Sequence, residues 1–218
     1  MTGETGVPAD PGPECPLCPR LVALRQRCRT EEPAWFNAPV PTFGDRNGRL
    51  LVVGLAPGLR GANRTGRPFT GDYAGDLLYA TLIRFGFARG PYRADPDDGL
   101  VLLDCAITNA VRCVPPENKP TGPEIRTCRR FLSATLAAMP RLAAVVALGH
   151  IAHESVLDAL GAKRTAAPFA HGRVHALPGG LALADSYHCS RYNTNTGRLT
   201  EAMFSDVFRS VRAHLDGP

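Results

Sequence analysis

The chain carries four short, mostly apolar runs, which are separated by much longer segments of mixed character. The runs lie at residues 50–53, 101–107, 143–149 and 181–187. Apolar residues that follow one another without strict alternation are typical of strands buried on both faces. The 50–53 run alone is also compatible with a piece of buried helix, but the glycine- and proline-rich loop behind it favours a strand.

Segments of helical character lie between these runs and beyond the last one. We expect helices at residues 20–29, 76–85, 123–139, 151–160 and 199–214. The 123–139 helix has the clearest start signal, because Thr121 stands before it and Glu124 lies in its first turn. Strands that alternate with helices predict an α/β fold, in which a parallel sheet is covered by helices on both faces.

The loop at residues 54–75 is the most unusual stretch, since a loop of about twenty residues in a compact domain is usually functional. A phosphate-binding loop is one interpretation, but GANRTGRP at residues 61–68 lacks the Lys and the Ser or Thr of a Walker A motif. A dinucleotide site is another, but no GxGxxG motif is present. A purely structural connection stays open as a third.

Three loops follow predicted strands and hold most of the polar residues that are suited to chemistry. They are residues 54–75, 108–120 and 188–198, and the carboxyl ends of parallel strands meet at one edge of a sheet. Their candidate residues are Phe69, Asp72, Asn109, Asn118, His188 and Asn193. One carboxylate, one histidine, amides and an aromatic ring suit water activation and recognition of a flat polar ligand. No nucleophile elbow and no HExxH zinc motif accompany them.

The seven cysteines suggest a second site, which would bind a metal. Cys15 and Cys18 have CxxC spacing, and Cys113 and Cys128 are separated by fourteen residues. Four thiolates of this kind suit either a tetrahedral zinc ion or a [4Fe-4S] cluster, and the spacing does not choose between them. The other three are expected to be ordinary buried cysteines: Cys28, Cys105 and Cys189.

Length and composition indicate one globular domain, since 218 residues with 44% hydrophobic content can bury a proper core. We expect residues 1–14 to be a disordered leader and residues 15–218 to form a single domain. The leader lacks a secretory signal and no apolar run is long enough to span a membrane, so a cytoplasmic location is expected. The net charge of +5 permits a nucleic-acid partner without requiring one.

Several motifs together resemble the family 5, or B class, uracil-DNA glycosylases of prokaryotic type. They are GLAPG at residues 54–58, NRTGRPFTGD at 63–72, the cysteine-to-proline segment CVPPENKP at 113–120, and the loop that begins at His188. The resemblance runs from Cys15 to near the C-terminus. It implies a three-layer α/β/α sandwich with a four-stranded parallel sheet, and a [4Fe-4S] cluster on Cys15, Cys18, Cys113 and Cys128.

The resemblance also implies a repair reaction on DNA, in which a deaminated base is flipped out of the duplex before its glycosidic bond is hydrolysed. Phe69 would stack on the flipped base, and the Asn109 amide would pair with the edge of the base, with Asn118 as the alternative polar contact. His188 would donate a hydrogen bond to the base oxygen as negative charge develops there. Asp72 would hold the attacking water and stabilise the cationic sugar.

The first motif departs from related classes in ways that bear on the substrate. Ordinary uracil enzymes carry a water-activating Asp and family 4 enzymes a Glu in this motif, but residues 55–57 contain no carboxylate, so the resemblance assigns water activation to Asp72. Strict uracil enzymes place a Tyr where Gly58 lies, so we expect a wider pocket that also accepts hypoxanthine. The substrate-binding residues expected here are Gly54, Ala56, Pro57 and Gly58.

The loop after the last strand departs as well, because the usual His-Pro-Ser becomes His-Cys-Ser at residues 188–190. We expect this loop to wedge into the duplex and to contact phosphates. Its candidate DNA-binding residues are Ser190, Arg191, Tyr192 and Asn193. The competing hypotheses are a family 4 glycosylase and an iron–sulfur module that binds damaged DNA without cleaving it. A single copy of the chain would suffice for base removal and for binding to damaged DNA.

Overall fold

The computed structural model describes residues 8–217 and contains one main sheet of six strands and a small sheet of two. The strands are β1 Phe43–Gly44, β2 Leu50–Gly54, β3 Ala88–Arg89, β4 Val101–Leu102, β5 Cys105–Asn109, β6 Ala144–Leu148, β7 Val174–Ala176 and β8 Ala182–Ser186. The main sheet has the order β1-β5-β2-β6-β8-β7. Its four central strands are parallel, and the short edge strands β1 and β7 pair antiparallel. The predicted four-stranded parallel sheet is therefore confirmed as the centre of a larger sheet.

The helices cover both faces of this sheet. They are α1 Pro19–Glu31, α2 Ala62–Thr65, α3 Tyr73–Arg84, α4 Gly122–Ala137, α5 His150–Ala159, α6 Arg191–Asn195 and α7 Glu201–Asp216. One core packs α3 and α7 against one face, through residues such as Leu78 and Phe208. The other core packs α4 and α5 against the opposite face, through residues such as Leu132 and Val156. These layers form the predicted α/β/α sandwich.

The run at 101–107 was expected to be one strand, and the structure divides it in two. Asp104 lies between β4 and β5 with a left-handed backbone, φ 54°. Its carboxylate accepts hydrogen bonds from the backbone N–H of Arg49 at 2.8 Å and from Arg49 Nε at 2.7 Å. This turn sends β4 to the small sheet and β5 into the main sheet, so the one-strand prediction was wrong for residues 101–104.

The strand register brings the predicted loops together at one edge. Gly54, the last residue of β2, pairs with Asn109, the last residue of β5, and Leu148 of β6 pairs with Ser186 of β8. The chain segments that follow these strands therefore leave the sheet side by side, as expected for parallel strands. The 3₁₀ turn at Pro116–Asn118 and the short helix α6 lie within two of these segments.

Part of the segment expected to be a disordered leader is packed against the domain. Residues 1–7 lie outside the described residues, but Asp10 binds the fully buried Arg112 at 2.8 Å and also pairs with Arg46. Asp10 further accepts hydrogen bonds from the backbone N–H and the hydroxyl of Thr42, both at 3.0 Å. The buried guanidinium needs this carboxylate, so for residues 8–14 the structure replaces disorder by fixed contacts. Within residues 8–217, no helix has the length and hydropathy that a membrane-spanning segment needs.

Candidate active site

An open cleft of about 660 Å³ lies at the carboxyl edge of the sheet, where the three predicted loops meet. The residues predicted for the site that line the cleft are Ala56, Pro57, Gly58, Phe69, Asp72, Asn109, Asn118, His188, Ser190 and Arg191. Gly54 lies just beneath Phe69 and Asn109. Most of the sequence-predicted site therefore faces one concave surface, although it comes from three separate loops of the chain.

Asp72 lies at the start of α3, where its Oδ1 accepts a hydrogen bond from the backbone N–H of Gly75 at 3.1 Å. Its other oxygen, Oδ2, lies against two glycines. A methyl group on Gly58 would come within 3.4 Å of Oδ2, and one on Gly61 within 3.0 Å. The side chain is exposed within the cleft, yet desolvation by the surrounding walls raises its pKa, against the opposing effect of the backbone hydrogen bond. Asp72 is thus both a helix cap and a carboxylate that faces the cleft.

Phe69 is held at the inner end of the cleft in an unusual backbone conformation. Its φ is 55°, which is costly for a residue with a side chain, and it is 7% exposed. The ring lies directly over Gly54, where a methyl group would come within 2.5 Å of Phe69 Cζ. Only glycine at position 54 lets Phe69 and the neighbouring Asn109 approach the end of β2 this closely.

Asn109 is nearly fully buried, with 3% of its surface exposed, and it ends β5 at the cleft. Among the described residues its side-chain oxygen Oδ1 has no hydrogen-bond partner. A buried acceptor without a donor costs free energy, and such groups in folded proteins generally mark a missing water or ligand. The amide of Asn109 is therefore ready to bind a polar group placed beside Phe69.

His188 follows β8 and reaches the cleft from the other side. Its ring lies 6.1 Å from that of Phe69 between centroids, with the planes inclined by 29°. Desolvation lowers the pKa of His188 to about 4, because burial disfavours the charged imidazolium. At neutral pH the ring is uncharged and can donate one hydrogen bond to a ligand.

Asn118 approaches from a strained turn. Both Glu117 and Asn118 have left-handed backbones, φ 55° and 56°, and the N–H of Asn118 donates to the carbonyl of Pro115 at 3.2 Å. Two successive left-handed residues that are not glycine are uncommon, and such strain is concentrated at functional sites. The side chain is exposed at the cleft, so it is available to a ligand or to DNA.

The loop predicted to contact DNA is a short helix with a capped start. Ser190 Oγ accepts from the backbone N–H of Asn193 at 3.4 Å, and Asn193 Nδ2 donates to the carbonyl of His188 at 2.8 Å. Asn193 thereby fixes the loop that carries His188, and its predicted contact with DNA stays a prediction. Tyr192 is 73% exposed, and Arg191 lies over the Tyr73 ring at 5.7 Å.

Eight residues that line the cleft were missed by the sequence analysis. They are Leu55, Leu59, Arg60, Gly61, Ala62, Gly71, Tyr73 and Ala74. Tyr73 directly follows Asp72 and is 37% exposed, so an aromatic residue beside the candidate carboxylate was the available signal. Leu59 is 41% exposed, and its sequence context gave no signal that it lines the cleft.

The four cysteines predicted to bind a metal line one small enclosed pocket, together with apolar residues of α1 and α4. The backbone N–H of Arg112 donates to Cys128 Sγ at 3.3 Å, and Arg25 Nη1 lies 3.9 Å from Cys113 Sγ. Desolvation raises the pKa of Cys18 to about 11 and that of Cys113 to about 12. A bound cation would reverse this, because coordinated thiols are deprotonated.

The spacing of the four sulfur atoms tests which metal group fits this pocket. In residues 8–217, His153, His175 and Asp185 form the only trio of candidate ligand atoms that lie within 4.8 Å of one another. No three cysteine sulfurs meet that limit. Four thiolates on one zinc ion would lie about 3.8 Å apart, given a Zn–S distance of about 2.3 Å. The sulfur atoms are therefore spaced more widely than in a single tetrahedral zinc site.

The chain is similar to known proteins over most of its length. A family model described as "Uracil DNA glycosylase superfamily" matches residues 41–212. The chain is 48% identical to the type-5 uracil-DNA glycosylase of Thermus thermophilus, over 91% of this chain and 92% of that protein. It is 44% identical to the type-5 enzyme of Pyrobaculum aerophilum, over 91% of this chain and 88% of that protein.

Similarity to type-4 enzymes is weaker, which bears on the family 4 alternative. The type-4 uracil-DNA glycosylase of Pyrobaculum aerophilum is 34% identical over 56% of this chain and 55% of that protein. The type-5 relatives match far more of the chain at higher identity, so the family 4 hypothesis is disfavoured. The chain therefore belongs to the uracil DNA glycosylase superfamily and, within it, is more similar to these type-5 uracil-DNA glycosylases than to the type-4 enzyme, as its motifs predicted.

Proposed function

We propose that this uracil-DNA glycosylase binds a flipped base in the cleft and hydrolyses its N-glycosidic bond with a water held by Asp72. The water oxygen bonds to C1′ of the sugar, the bond from C1′ to the base nitrogen breaks, and the base leaves with a proton. The product is an abasic site. The observation that carries this proposal is the Asp72 carboxylate, which lines the same cleft as Phe69, Asn109 and His188.

Base binding rests on Phe69 and Asn109, which meet over Gly54. An aromatic ring that stacks on a nucleobase contributes about 1–3 kcal/mol and tolerates different bases. The unpartnered Oδ1 of Asn109 supplies an acceptor, and the same amide supplies a donor, so a neighbouring donor and acceptor on the base edge are matched. Asn118 supplies a further polar contact from the 3₁₀ turn.

His188 stabilises the leaving base. As the glycosidic bond breaks, negative charge develops on the base oxygen, and a fixed hydrogen-bond donor lowers the energy of that state. Because its pKa lies near 4, His188 donates as a neutral imidazole and needs no protonation at neutral pH. The hydrogen bond from Asn193 Nδ2 to the His188 carbonyl holds the residue in place.

Asp72 activates the water and stabilises the cationic sugar. Burial raises the pKa of Asp72, which makes the carboxylate a stronger base than an ordinary aspartate. The glycines at 58 and 61 leave the space beside Oδ2 free for a water molecule. A glycine at 58 also leaves the cleft wide, which supports release of hypoxanthine as well as uracil.

DNA would lie across the mouth of the cleft. Tyr192 is the most exposed large apolar side chain among the described residues, so it suits the wedge that enters the space vacated by the base. Arg191 and Ser190 lie at the same rim and are placed to contact phosphates. One chain supplies every cleft residue used here, so the reaction needs no second subunit.

The pocket of Cys15, Cys18, Cys113 and Cys128 suits a [4Fe-4S] cluster, because it offers four thiolates, spaced too widely for one zinc ion. When bound, the cluster supplies a structural cross-link and takes no part in the hydrolysis. Its ligands join α1 to α4 and to the segment that follows β5. That segment begins at Asn109, so the cluster would stabilise the base-binding wall.

Release of free base from duplex DNA tests the proposal. The substrates are duplexes with a single uracil or a single hypoxanthine, and the readouts are free base and cleavage of the product at the abasic site. We expect the wild-type enzyme to release both bases. Binding of either duplex without release would contradict hydrolysis and would leave a passive damage-binding module as the account of this fold.

A further inference from the structure

A buried ion pair lies behind the cleft without lining it. Arg67 and Asp98 form two parallel hydrogen bonds, Nη1 to Oδ1 at 2.9 Å and Nη2 to Oδ2 at 2.8 Å. Their side chains are 3% and 0% exposed. Asp98 also accepts backbone N–H groups of Arg93 and Leu100, at 2.9 and 3.0 Å. Because every oxygen is paired, the desolvation cost of burying both charges is offset.

The same guanidinium reaches the loop that carries Phe69. Arg67 Nε donates to Thr70 Oγ1 at 2.8 Å. The Arg67 side chain therefore binds the residue that directly follows Phe69. Three rings surround its guanidinium carbon at 5.2–5.6 Å, those of Phe43, Tyr79 and Tyr92. A planar guanidinium stacks on aromatic rings and binds a carboxylate with two bonds at once, which lysine cannot do.

Two of these rings hold the backbone of the loop. Tyr79 Oη donates to the carbonyl of Pro68 at 2.7 Å, and Tyr92 Oη donates to the carbonyl of Phe69 at 3.1 Å. The tyrosine rings are stacked on each other, with centroids 4.5 Å apart. Asp98, Arg67, Tyr79 and Tyr92 thus form one connected unit, which we call the Asp98 brace.

Phe69 is the residue that needs such a brace. Its φ of 55° persists only where the surroundings hold it, since a side chain in this region is strained. Without the brace, the loop can relax and turn the Phe69 ring out of the cleft. Asp98 comes from the segment between β3 and β4, so this small sheet supplies the anchor for a loop of the active site.

We infer that Asp98 and Arg67 are positioning residues for base removal, which act by holding Phe69 in its strained, base-stacking conformation. The inference rests on the proposed stacking role of Phe69. It predicts that loss of the brace slows base release only because Phe69 is displaced, and that no other residue of the site is affected. A pair that only stabilised the fold would slow release equally whether or not Phe69 were present.

A double-mutant cycle on the full chain tests this coupling. Single-turnover uracil release from duplex DNA is measured for wild type, D98N, F69A and D98N/F69A, with melting temperatures recorded alongside. We expect D98N alone to slow release by at least about tenfold, and to slow F69A by less than about threefold. Equal slowing in both backgrounds would overturn the inference. F69A as fast as wild type would also overturn it, without touching the role of Asp72.

Two further variants keep the test decisive. D104N breaks the contact between Arg49 and Asp104, which lies before β5 at the opposite edge of the sheet from the cleft. It should lower the melting temperature with an unchanged rate of release. If D98N does not fold, T70V removes the hydroxyl that accepts from Arg67 Nε and donates to the Pro68 carbonyl, and it enters the same cycle. We expect the same dependence on Phe69, and additive effects in that cycle would overturn the inference.

Discussion

The rings of Phe69 and His188 lie side by side in the cleft, with centroids 6.1 Å apart and planes inclined by 29°, although 119 positions separate them in the chain. One ring follows β2 and the other follows β8, the two strands that flank β6. A base that stacks on Phe69 therefore lies within reach of the His188 imidazole. The ring that binds the base therefore lies next to the ring that stabilises the negative charge on the departing base.

Removal of the Phe69 ring should weaken base binding in the transition state. Stacking contributes about 1–3 kcal/mol, so F69A should lower kcat/KM for uracil-containing duplex by about 5- to 150-fold. F69Y retains the stacking face and should retain most of the activity. Equal kcat/KM values for F69A and wild type would show that Phe69 is only a packing residue.

The decrease in the rate of base release at low pH should reflect the protonation of Asp72. Desolvation raises its pKa, and the carboxylate acts when ionised, so activity should be lost as pH falls through a value above that of an ordinary aspartate. His188 is neutral until about pH 4 and should not set this limb. The measurement is single-turnover release from about pH 4 to about pH 8 for wild type and H188N. Disappearance of the acid limb in the slower H188N variant would reassign it to the histidine.

Stability at alkaline pH should depend on His153. Its Nδ1 lies 2.6 Å from an Asp185 oxygen and its Nε2 lies 2.8 Å from the Ala167 carbonyl, so both ring nitrogens face acceptors. Burial works to lower the pKa of His153, but the hydrogen bond and charge of Asp185 outweigh it and the net shift is upward. A raised folded pKa contributes stability that is complete below the unfolded pKa and is lost as pH rises through the folded one.

The corresponding measurement is the free energy of unfolding as a function of pH for wild type and H153Q. Wild type should lose stability between about pH 6.5, the ordinary value for histidine, and the higher folded pKa. H153Q should be less stable at low pH and should lack this slope. The same slope in both proteins would show that the titrating group is not His153.

The width of the cleft at Gly58 should govern the choice between bases. Its backbone φ is not left-handed, and a methyl group there would meet only Asp72 Oδ2, at 3.4 Å. A tyrosine at this position fits the backbone and fills the cleft, so G58Y should reduce release of hypoxanthine at least about tenfold more than release of uracil. G61A crowds the same oxygen at 3.0 Å and should slow both bases alike. If G58Y kept the wild-type preference between hypoxanthine and uracil, Gly58 would not determine substrate specificity.

The four-cysteine pocket makes a prediction about metal content. The purified protein should contain about four iron atoms per chain, and C128S should lose most of them because three thiolates hold such a cluster poorly. Cys28 lies in α1, outside the quartet, so C28A serves as the matched control and should keep its iron. One zinc ion per chain in the wild type, with no iron, would contradict the cluster.

Periodicity and motif spacing predicted the buried strands, the layers of helices and most of the cleft, because these depend on local pattern and on parallel topology. The break at Asp104 was missed because one carboxylate that binds Arg49 overrides an apolar run. The edge strands β1 and β7 have two and three residues, too few to show a pattern. Asp98 carried no signal at all, since its partner Arg67 lies 31 positions away and only the folded chain pairs them.

The central claim, water activation by Asp72, is tested most directly by measuring binding and base release on the same variant. D72N keeps the size of the side chain and an acceptor for the Gly75 N–H, and D76N removes the next carboxylate along α3 as a control. We predict that D72N binds uracil-containing duplex as tightly as wild type but releases base about 10²–10⁴-fold more slowly, while D76N matches wild type in both. Release by D72N at the wild-type rate would contradict the account.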